Sequence, residues 1–314
     1  MKVLNYGSLN VDYVYSVDHI IVGGETQHSS KLEVFSGGKG LNQSIALAKA
    51  GVPVYHAGIV GTDGDILLEA CKEAGVNTKY IRRLPVKGGH TMIQVDKNAQ
   101  NCIILYGGTN QMQTKEFVDE VLADFGEGDY LILQNEINML DYIIDQAYEK
   151  KMKIVMNPSP FDDKLSTCDL SKVYLFLVNE IEGEQITGCK DKDQILDAMA
   201  AKFPNARFVL TLGSDGAVYY DGKEKVFQDI FKVKAVDTTA AGDTFTGYFI
   251  AAVIEGRSIQ EALRMAAKAS SIAVSRPGAT PSIPRADEVN QTSKVRTEFP
   301  VRNVFPHQIP SPVS

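Results

Sequence analysis

The stretch Asp237-Thr-Thr-Ala-Ala-Gly-Asp243-Thr-Phe-Thr-Gly247 decides how this chain is interpreted. It places small residues and one acid where a loop runs into a helix that is predicted to begin near Asp243. Ala241 and Gly242 leave their backbone N–H groups uncovered. The first helical turn adds unpaired donors and the positive end of the helix dipole. The pattern therefore predicts an anion site that a phosphate can approach closely.

Asp243 has two interpretations at this helix start. A carboxylate beside a phosphate site repels the ligand unless it has a task, such as accepting a proton from a hydroxyl that attacks the phosphorus. Short acids also cap helix N-termini without any role in chemistry. The residues of this stretch alone leave both interpretations open.

The composition indicates a globular protein with a large core. The chain has 314 residues, of which 44% are hydrophobic, and a formal net charge of -7. That charge argues against nucleic-acid or anionic-membrane partners. The first thirty residues do not resemble a signal peptide and the apolar runs are too short to span a bilayer, so we expect a cytoplasmic protein. Its four scattered cysteines form neither a disulfide framework nor a zinc site.

Short β-rich apolar runs alternate with helical patterns along most of the chain. Strands are predicted at residues 2–6, 54–60, 129–134, 153–156, 174–178, 208–212 and 217–221, and helices at residues 40–49, 65–74, 138–150, 244–255 and 259–275. This alternation predicts an α/β fold, with a mostly parallel central sheet flanked by helices on both faces.

Two stretches and the C-terminus depart from this pattern. Residues 14–35 and 91–106 contain alternating strands joined by turn residues, so they predict hairpins outside the main sheet. Such hairpins are either a small β-strand lid over a cleft or ordinary edge hairpins. The domain is expected to cover residues 1–286. Residues 287–314 are expected to form a Pro-rich tail that, from residue 289 onward, is extended or disordered.

Two further clusters carry polar groups next to turns. Ser36-Gly-Gly-Lys39-Gly-Leu-Asn42-Gln is a glycine-rich turn that opens a helix, but it lacks the Ser or Thr that a Walker A loop needs after its lysine. Asn10 and Asp12 follow the first strand and point to the same side of an extended chain, which suits neighbouring sugar hydroxyls. Each cluster can also be explained by local structure, as a helix N-terminus or as turn residues.

Seven motifs in a fixed order, spread over about the first 286 residues, resemble the ribokinase-like carbohydrate kinases. They are Gly7-Ser-Leu-Asn10-Val-Asp12, Gly37-Gly-Lys-Gly-Leu-Asn42-Gln, Asn157-Pro-Ser-Pro, Asn179-Glu-Ile-Glu182, Thr211-Leu-Gly-Ser-Asp-Gly216, Asp237-Thr-Thr-Ala-Ala-Gly-Asp243-Thr-Phe and Arg276-Pro-Gly-Ala-Thr-Pro-Ser282. The resemblance implies ATP-dependent phosphorylation of the primary hydroxyl of a small sugar, with D-ribose the expected acceptor. It makes Asp243 the general base and the amides of Ala240, Ala241 and Gly242 an anion hole.

The resemblance also implies the remaining site residues. Those expected to bind the sugar are Asn10, Asp12, Gly38, Lys39, Asn42 and Glu136, together with Asp243. Those expected to bind the nucleotide are Asn179, Thr211, Gly213, Ser214, Gly216 and Gly242. Asn179 and Glu182 match a motif that organises Mg²⁺ through water. A monovalent cation, usually K⁺, is expected at Asp237, Thr239, Ala273, Arg276, Gly278 and Ser282, where it would brace the loop that ends in Asp243.

Several alternatives to a ribose kinase remain. They are a sibling kinase with the same machinery, namely a fructokinase, a deoxyribokinase, a 2-keto-3-deoxygluconate kinase or a nucleoside kinase, and a catalytically silent sugar or nucleotide sensor. The presence of both Gly242 and Asp243 argues against the sensor. The resemblance further implies a homodimer that pairs through the lid strands.

Overall fold

A computed structural model describes residues 1–98 and 100–291, and it contains two sheets. In chain order the strands are β1 (Val3–Tyr6), β2 (Asn10–Ser16), β3 (Lys31–Gly37), β4 (Tyr55–Val60), β5 (Asn77–Arg83), β6 (Gly89–Val95), β7 (Asn101–Tyr106), β8 (Tyr130–Gln134), β9 (Lys153–Asn157), β10 (Leu175–Asn179), β11 (Arg207–Thr211), β12 (Ala217–Tyr220) and β13 (Lys225–Gln228). The helices are α1 (Lys39–Lys49), α2 (Asp65–Ala74), α3 (Lys115–Leu122), α4 (Leu140–Glu149), α5 (Glu180–Thr187), α6 (Lys192–Lys202), α7 (Ala241–Ile254), α8 (Ile259–Val274) and α9 (Ala286–Gln291).

The main sheet has nine strands in the order β13-β12-β11-β10-β9-β8-β1-β4-β5. Every pair from β5 to β11 is parallel, and only β12 and β13 run antiparallel to their neighbours. The central strands β1 and β8 are buried at every residue, because helices cover both of their faces. Two separate hydrophobic clusters, one on each side of the sheet, form the core. The predicted α/β class is therefore confirmed.

The predicted strands and helices are found within a few residues of their expected bounds. The elements that the sequence pattern did not predict are β5, α3, α5, α6, β13 and α9. Two of these helices, α5 and α6, have weakly periodic hydrophobicity, which is why their apolar faces were not recognised.

The two predicted hairpins combine into a second sheet with the order β3-β2-β6-β7. β2 pairs antiparallel with β3 and parallel with β6, and β6 pairs antiparallel with β7. Residues opposite each other in this register share a face. One face carries Asp12 beside Thr91, and the other carries Val34, Met92 and Ile104 in one cross-strand row with Tyr13. We call this four-stranded sheet the lid sheet.

Strand order places the functional loops at one edge of the main sheet. β1 has β4 on one side and β8 on the other, so the chain changes direction across the sheet at β1. Ligands in open α/β folds bind beyond the carboxyl ends of the strands at such a position. The N-terminal ends of α1 and α7 both lie at this edge, where Asn42 of α1 contacts Asp243 of α7.

The C-terminal segment differs from the expectation where it is described. Residues 286–291 form α9 and the Val289 side chain is buried, so the expectation of an extended or disordered segment beginning at residue 289 is wrong for residues 289–291. Val289 packs into the hydrophobic cluster that also contains α7 and α8 residues, which explains why this turn is helical. The rest of the expected tail, residues 292–314, lies outside the described residues. Within residues 1–98 and 100–291, no helix combines the length and apolar character needed to cross a membrane.

The contact between α1 and α7 depends on the absence of a side chain at Gly247. A Cβ atom there would lie 2.4 Å from the Ala46 Cβ and 3.0 Å from the Leu47 backbone nitrogen. We therefore expect Gly247→Ala to lower the free energy of unfolding by about 1–3 kcal/mol through overpacking, as measured by urea denaturation. Gly126→Ala is the matched control, because a Cβ at Gly126 has no atom within 4 Å. An equal change in both variants would contradict close packing at Gly247.

Candidate active site

The start of α7 presents free backbone donors at the carboxyl edge of the main sheet. Ala240 precedes the helix with a φ of 58°, a left-handed conformation that costs an alanine about 1 kcal/mol or more. The chain then turns, and the first helical bond is from the Thr244 N–H to the Ala240 carbonyl. The N–H groups of Gly242 and Asp243 therefore have no partner one turn earlier within the helix. A Cβ built on Gly242 meets no atom within 4 Å, so the space in front of these donors is open.

Asp243 is a first-turn residue of α7 and not its N-cap. The helix begins at Ala241, two residues before the expected start, and no side-chain capping bond closes it. The Asp243 carboxylate is buried, and each of its oxygens accepts one amide hydrogen bond from α1. Asn42 Nδ2 donates to Oδ2 and Gln43 Nε2 donates to Oδ1, both at 2.9 Å. The carboxylate is thereby fixed beside the open donors of α7.

Asn42 has a second polar atom available to a ligand. Its Oδ1 is buried and has no hydrogen-bond partner among the described residues. A buried acceptor without a donor is costly, and a ligand hydroxyl would satisfy it. The structure thus brings together an ionisable acceptor and an unpaired amide oxygen at the start of α1.

Asn10 and Asp12 lie on one face of β2, as their spacing predicted. Thr91 Oγ1 donates to Asp12 Oδ1 at 2.6 Å, and Asn110 Nδ2 donates to Asn10 Oδ1 at 2.7 Å. The Asp12 carboxylate also needs the glycine at position 37, since a Cβ there would lie 1.9 Å from Asp12 Oδ2. A cleft of about 230 Å³ is lined by several of these groups, among them Asn10, Asn110 and Glu136.

Glu136 and Lys39 form the charged part of the same region. Glu136 Oε2 accepts hydrogen bonds from the Ser8 hydroxyl and from the Lys39 backbone N–H, the latter at 3.0 Å. Burial raises the pKa of Glu136, although the nearby Lys39 ammonium opposes the shift. Gly38, with a φ of 93°, makes the turn that directs the Lys39 N–H at this carboxylate.

Several acids favour the charge on Lys39. Burial disfavours its ammonium charge, yet the pKa of Lys39 is raised. The carboxylates that raise it are those of Asp243, Glu136 and Glu182. Three acids from three different elements are therefore close enough to Lys39 to stabilise its charge.

The predicted nucleotide residues lie at the ends of adjacent strands. Asn179 at the end of β10 pairs in register with Thr211 at the end of β11. Thr211 is followed by a short 3₁₀ turn that contains Gly213 and Ser214, and Gly216 then takes a φ of 97°. The turn brings these residues to the same edge of the sheet as Asn179.

Asn179 and Glu182 form a capping box at the start of α5. Asn179 Oδ1 accepts from the Glu182 N–H, and Glu182 Oε2 accepts from the Asn179 N–H. This arrangement explains the N-x-x-E spacing by local structure. It engages Oε2 of Glu182, and the same carboxylate contributes to the field at Lys39. The capping box thus fixes a carboxylate that favours the charge on Lys39.

Asp237 joins the two loops that were expected to hold a monovalent cation. Its Oδ1 accepts from the Thr239 N–H and hydroxyl, and its Oδ2 accepts from the Gly278 N–H at 2.9 Å. Partial burial opposes its charge, but these hydrogen bonds hold its pKa below the ordinary value. The Ser282 hydroxyl donates to the Ala279 carbonyl at 2.7 Å. Asp237 is therefore held ionised between two loops, and an ionised carboxylate is an oxygen ligand of the kind that a hard cation prefers.

Sequence reasoning missed three groups that position the site. Thr91 and Asn110 hold Asp12 and Asn10, and Gln43 holds Asp243. The available signal was in α1, where Asn42, Gln43 and Ser44 are consecutive polar residues inside an otherwise apolar helix. All three are buried, which requires hydrogen-bond partners for each of them.

The buried Asp12 carboxylate makes a testable contribution to stability. Burial raises the pKa of Asp12 from its ordinary value of 3.8 to about 6, and Glu136 adds to the shift. Between these values the folded state binds more protons than the unfolded state. The contribution of this group to stability therefore falls as the pH rises from about 4 to about 6.

We expect the ligand-free Asp12→Asn variant to exceed the wild type in stability by up to about 3 kcal/mol at pH 7, and to match it near pH 4. Asparagine carries no charge and keeps an oxygen that can accept from Thr91. Urea denaturation of both proteins between pH 4 and pH 7 measures the difference. A difference that does not change with pH would contradict a buried charge at Asp12.

Comparisons with known proteins agree with this geometry. The family model described as "pfkB family carbohydrate kinase" matches residues 1–286. The ribokinase of Haemophilus influenzae is 34% identical over 295 residues, covering 90% of this chain and 95% of that protein. The deoxyribokinase of Salmonella typhi is 27% identical over 300 residues, covering 93% and 98%. The structure of Arabidopsis thaliana ribokinase complexed with ribose and ATP is 29% identical, with a TM-score of 0.82, and the match covers 94% of this chain and 99% of that one.

The matched region contains both strands of the lid sheet that carry Asn10 and Thr91, and both helix starts that meet at Asp243. Transfer of a phosphoryl group to a hydroxyl requires donors that bind the phosphate and a base beside them. The start of α7 and the buried Asp243 carboxylate supply both. The chain belongs to the pfkB family of carbohydrate kinases and is a phosphotransferase that acts on a sugar hydroxyl.

Proposed function

We propose that this chain is an ATP-dependent ribokinase that phosphorylates the primary hydroxyl of D-ribose to give ribose 5-phosphate. The observation that carries the proposal is the position of Asp243. Its buried carboxylate is held by Asn42 and Gln43 of α1, in the first turn of α7, where backbone donors are free. The similarity to ribokinases over nine tenths of the chain supports ribose as the acceptor.

In the proposed reaction Asp243 accepts the proton of the primary hydroxyl. The hydroxyl oxygen forms a bond to the γ-phosphorus while the bond from that phosphorus to the bridging oxygen of ATP breaks, which leaves ADP. The N–H groups of Ala240 and Gly242 stabilise the charge on the transferring group, aided by the dipole of α7. The third predicted donor, the Ala241 N–H, bonds to the Thr238 carbonyl at 3.2 Å and would have to leave it to join them. The proton, the phosphoryl group and the leaving group are thus all accounted for.

The sugar is proposed to bind Asn10, Asp12, Gly38, Lys39, Asn42 and Glu136. Several of these groups have unused capacity: the Asn10 amide nitrogen, the second Asp12 oxygen and the Asn42 oxygen. Neighbouring hydroxyls of a pentose can donate to the carboxylates and accept from the amides. A site that satisfies a hydroxyl in this way discriminates strongly against an analogue that lacks it.

ATP is proposed to bind where β10 and β11 end, at Asn179, Thr211, Gly213, Ser214 and Gly216, with its γ-phosphate at Gly242. Asn179 and Glu182 would hold Mg²⁺ through water, and a bound Mg²⁺ supplies charge neutralisation to the phosphates. Thr239, Ala273, Arg276, Gly278 and Ser282 would supply oxygens for K⁺ around Asp237. The ionised Asp237 links both loops and supports that assignment. A cytoplasmic location is part of the proposal, because ATP is available there.

A deoxyribokinase is the second candidate, and the similarity to the enzyme of Salmonella typhi favours it over the other sibling kinases. It shares the reaction at the primary hydroxyl and differs in the sugar 2-hydroxyl. The two candidates therefore separate on one group of the substrate.

The test is a coupled assay of ADP release with ATP, Mg²⁺ and K⁺ against ribose, deoxyribose, fructose, 2-keto-3-deoxygluconate and adenosine. We expect ribose to give the highest kcat/KM. A higher kcat/KM for deoxyribose would replace ribokinase by deoxyribokinase.

We also expect Asp243→Asn to lower kcat with ribose by several orders of magnitude while ribose affinity changes little, because the variant keeps the shape of the side chain but loses the proton acceptor. Near-normal turnover of Asp243→Asn would remove Asp243 as the base.

We also propose a homodimer that forms through the lid sheets. The face that carries Val34, Met92 and Ile104 is apolar, and these side chains are 42%, 45% and 61% exposed. Next to them an apolar cleft of about 370 Å³ is lined by Lys87, His90, Met92, Ile104 and Tyr106. An exposed apolar patch on strands of a small sheet is a typical association surface.

We expect Ile104→Asp to convert the dimer to a monomer in analytical ultracentrifugation, because a charge would be buried in the interface. Ile181→Asp is the matched control, since Ile181 is 68% exposed on α5, away from the lid sheet. A wild-type protein that sediments as a monomer, or an Ile104→Asp variant that remains dimeric, would refute the association through this face.

A further inference from the structure

A buried chain of amide side chains leads from Asp243 down between α1 and the strands β1, β8 and β9. Gln43 Nε2 donates both of its hydrogens, one to Asp243 Oδ1 at 2.9 Å and one to Asn157 Oδ1 at 3.0 Å. Gln43 Oε1 accepts from Gln134 Nε2 at 2.7 Å, and Gln134 Nε2 also donates to Asn5 Oδ1 at 3.0 Å. Gln43 thus uses every polar hydrogen it has within this network.

The direction of each amide in this network is determined by two backbone carbonyls. Asn5 Nδ2 donates to the Gly40 carbonyl at 2.7 Å, and Asn157 Nδ2 donates to the Leu177 carbonyl at 2.9 Å. A carbonyl can only accept, so these two contacts fix which end of Asn5 and of Asn157 is the nitrogen.

The orientations of Asn5 and Asn157 together determine which end of the Gln43 amide is the nitrogen. The Asn5 oxygen faces Gln134, which must present its nitrogen there, and that nitrogen in turn requires the Gln43 oxygen. The Asn157 oxygen independently requires the Gln43 nitrogen. Turning the Gln43 amide over would place like groups against each other at three contacts, each worth about 1 kcal/mol or more. The donor that faces Asp243 is therefore held in place by contacts on both sides.

We propose that Gln43 is a positioning residue for phosphoryl transfer, which keeps a hydrogen-bond donor on Asp243 Oδ1 so that Oδ2 faces the acceptor hydroxyl. The proposal rests on the role of Asp243 as the base. Asn42 alone holds one oxygen and would leave the carboxylate free to rotate about its Cβ–Cγ bond. The second bond from Gln43 removes that rotation.

The test compares three variants in steady-state kinetics with ribose and ATP over a pH series. Gln43→Leu removes the donor, and Gln43→Glu keeps the size of the side chain but replaces the donor with an acid. Gln113→Leu is the matched control, because Gln113 is an equally buried glutamine whose oxygen accepts from Tyr6 and which does not contact Asp243. Circular dichroism measures the folded fraction of each variant, and each rate is divided by the concentration of folded enzyme.

We expect Gln43→Leu to lower kcat by about 10- to 100-fold while KM for ribose changes less than about threefold, since a misplaced reacting group costs turnover more than binding. The pH profile of kcat should differ from that of the wild type in Gln43→Leu, and differ most in Gln43→Glu, where a second carboxylate stands against Asp243. Gln113→Leu should keep the wild-type kcat and profile.

Two outcomes overturn the proposal and they are distinguishable. If Asp243→Asn abolishes turnover but both Gln43 variants keep the wild-type kcat and pH profile, Gln43 has only a structural role. If Asp243→Asn retains turnover, the proposed function of Asp243 fails and the positioning role fails with it. If Gln43→Leu does not fold, the kcat and pH profile of the size-matched Gln43→Glu variant decide between these outcomes.

Discussion

The two amide hydrogen bonds from α1 to the Asp243 carboxylate are the interaction on which the rest of the site depends. They join the turn that holds Lys39 and Glu136 to the helix start that offers free backbone donors. These hydrogen bonds can form because α1 and α7 pack closely at Gly247, where no side chain separates them. The chemistry of the site therefore follows from a packing constraint between two helices that are far apart in the sequence.

Much of the fold was predictable, because its central strands are apolar runs of strand length and its helices alternate with them. Asn10, Asp12, Lys39 and Asp243 were also predictable, since each lies next to a turn at a strand end or a helix start. Gln43, Asn110 and Thr91 were not. Their partners lie about 80 to 200 residues away in the sequence, and only the folded chain brings a single donor to each acceptor. The helix α9 was missed because the burial of Val289 outweighs the local proline-rich composition.

The carboxylates of the cleft are held at a cost to stability. Burial raises the pKa of both Asp12 and Glu136, so the folded chain resists their ionisation when no ligand is present. Gln134 Oε1 is likewise buried without a partner among the described residues. Strained or unsatisfied groups of this kind concentrate at functional sites, where a ligand or a reaction uses them. Asp12 lies on β2 and Glu136 beside the Lys39 N–H, whereas Gln134 lies beneath α1, where it donates to Asn5 and Gln43.

The two faces of the lid sheet differ in chemical character. A single layer of four strands carries Asp12 and Thr91 on one face and the apolar row of Val34, Met92 and Ile104 on the other. A ligand that orders the polar face also orders the strands that present the apolar face. Under the proposed sugar site and dimer, a partner that binds the outer face more tightly when sugar is bound would raise the affinity of the inner face for sugar, and sugar would raise the affinity of the outer face by the same factor. The proposed recognition of sugar and the proposed association would then be thermodynamically linked through one sheet.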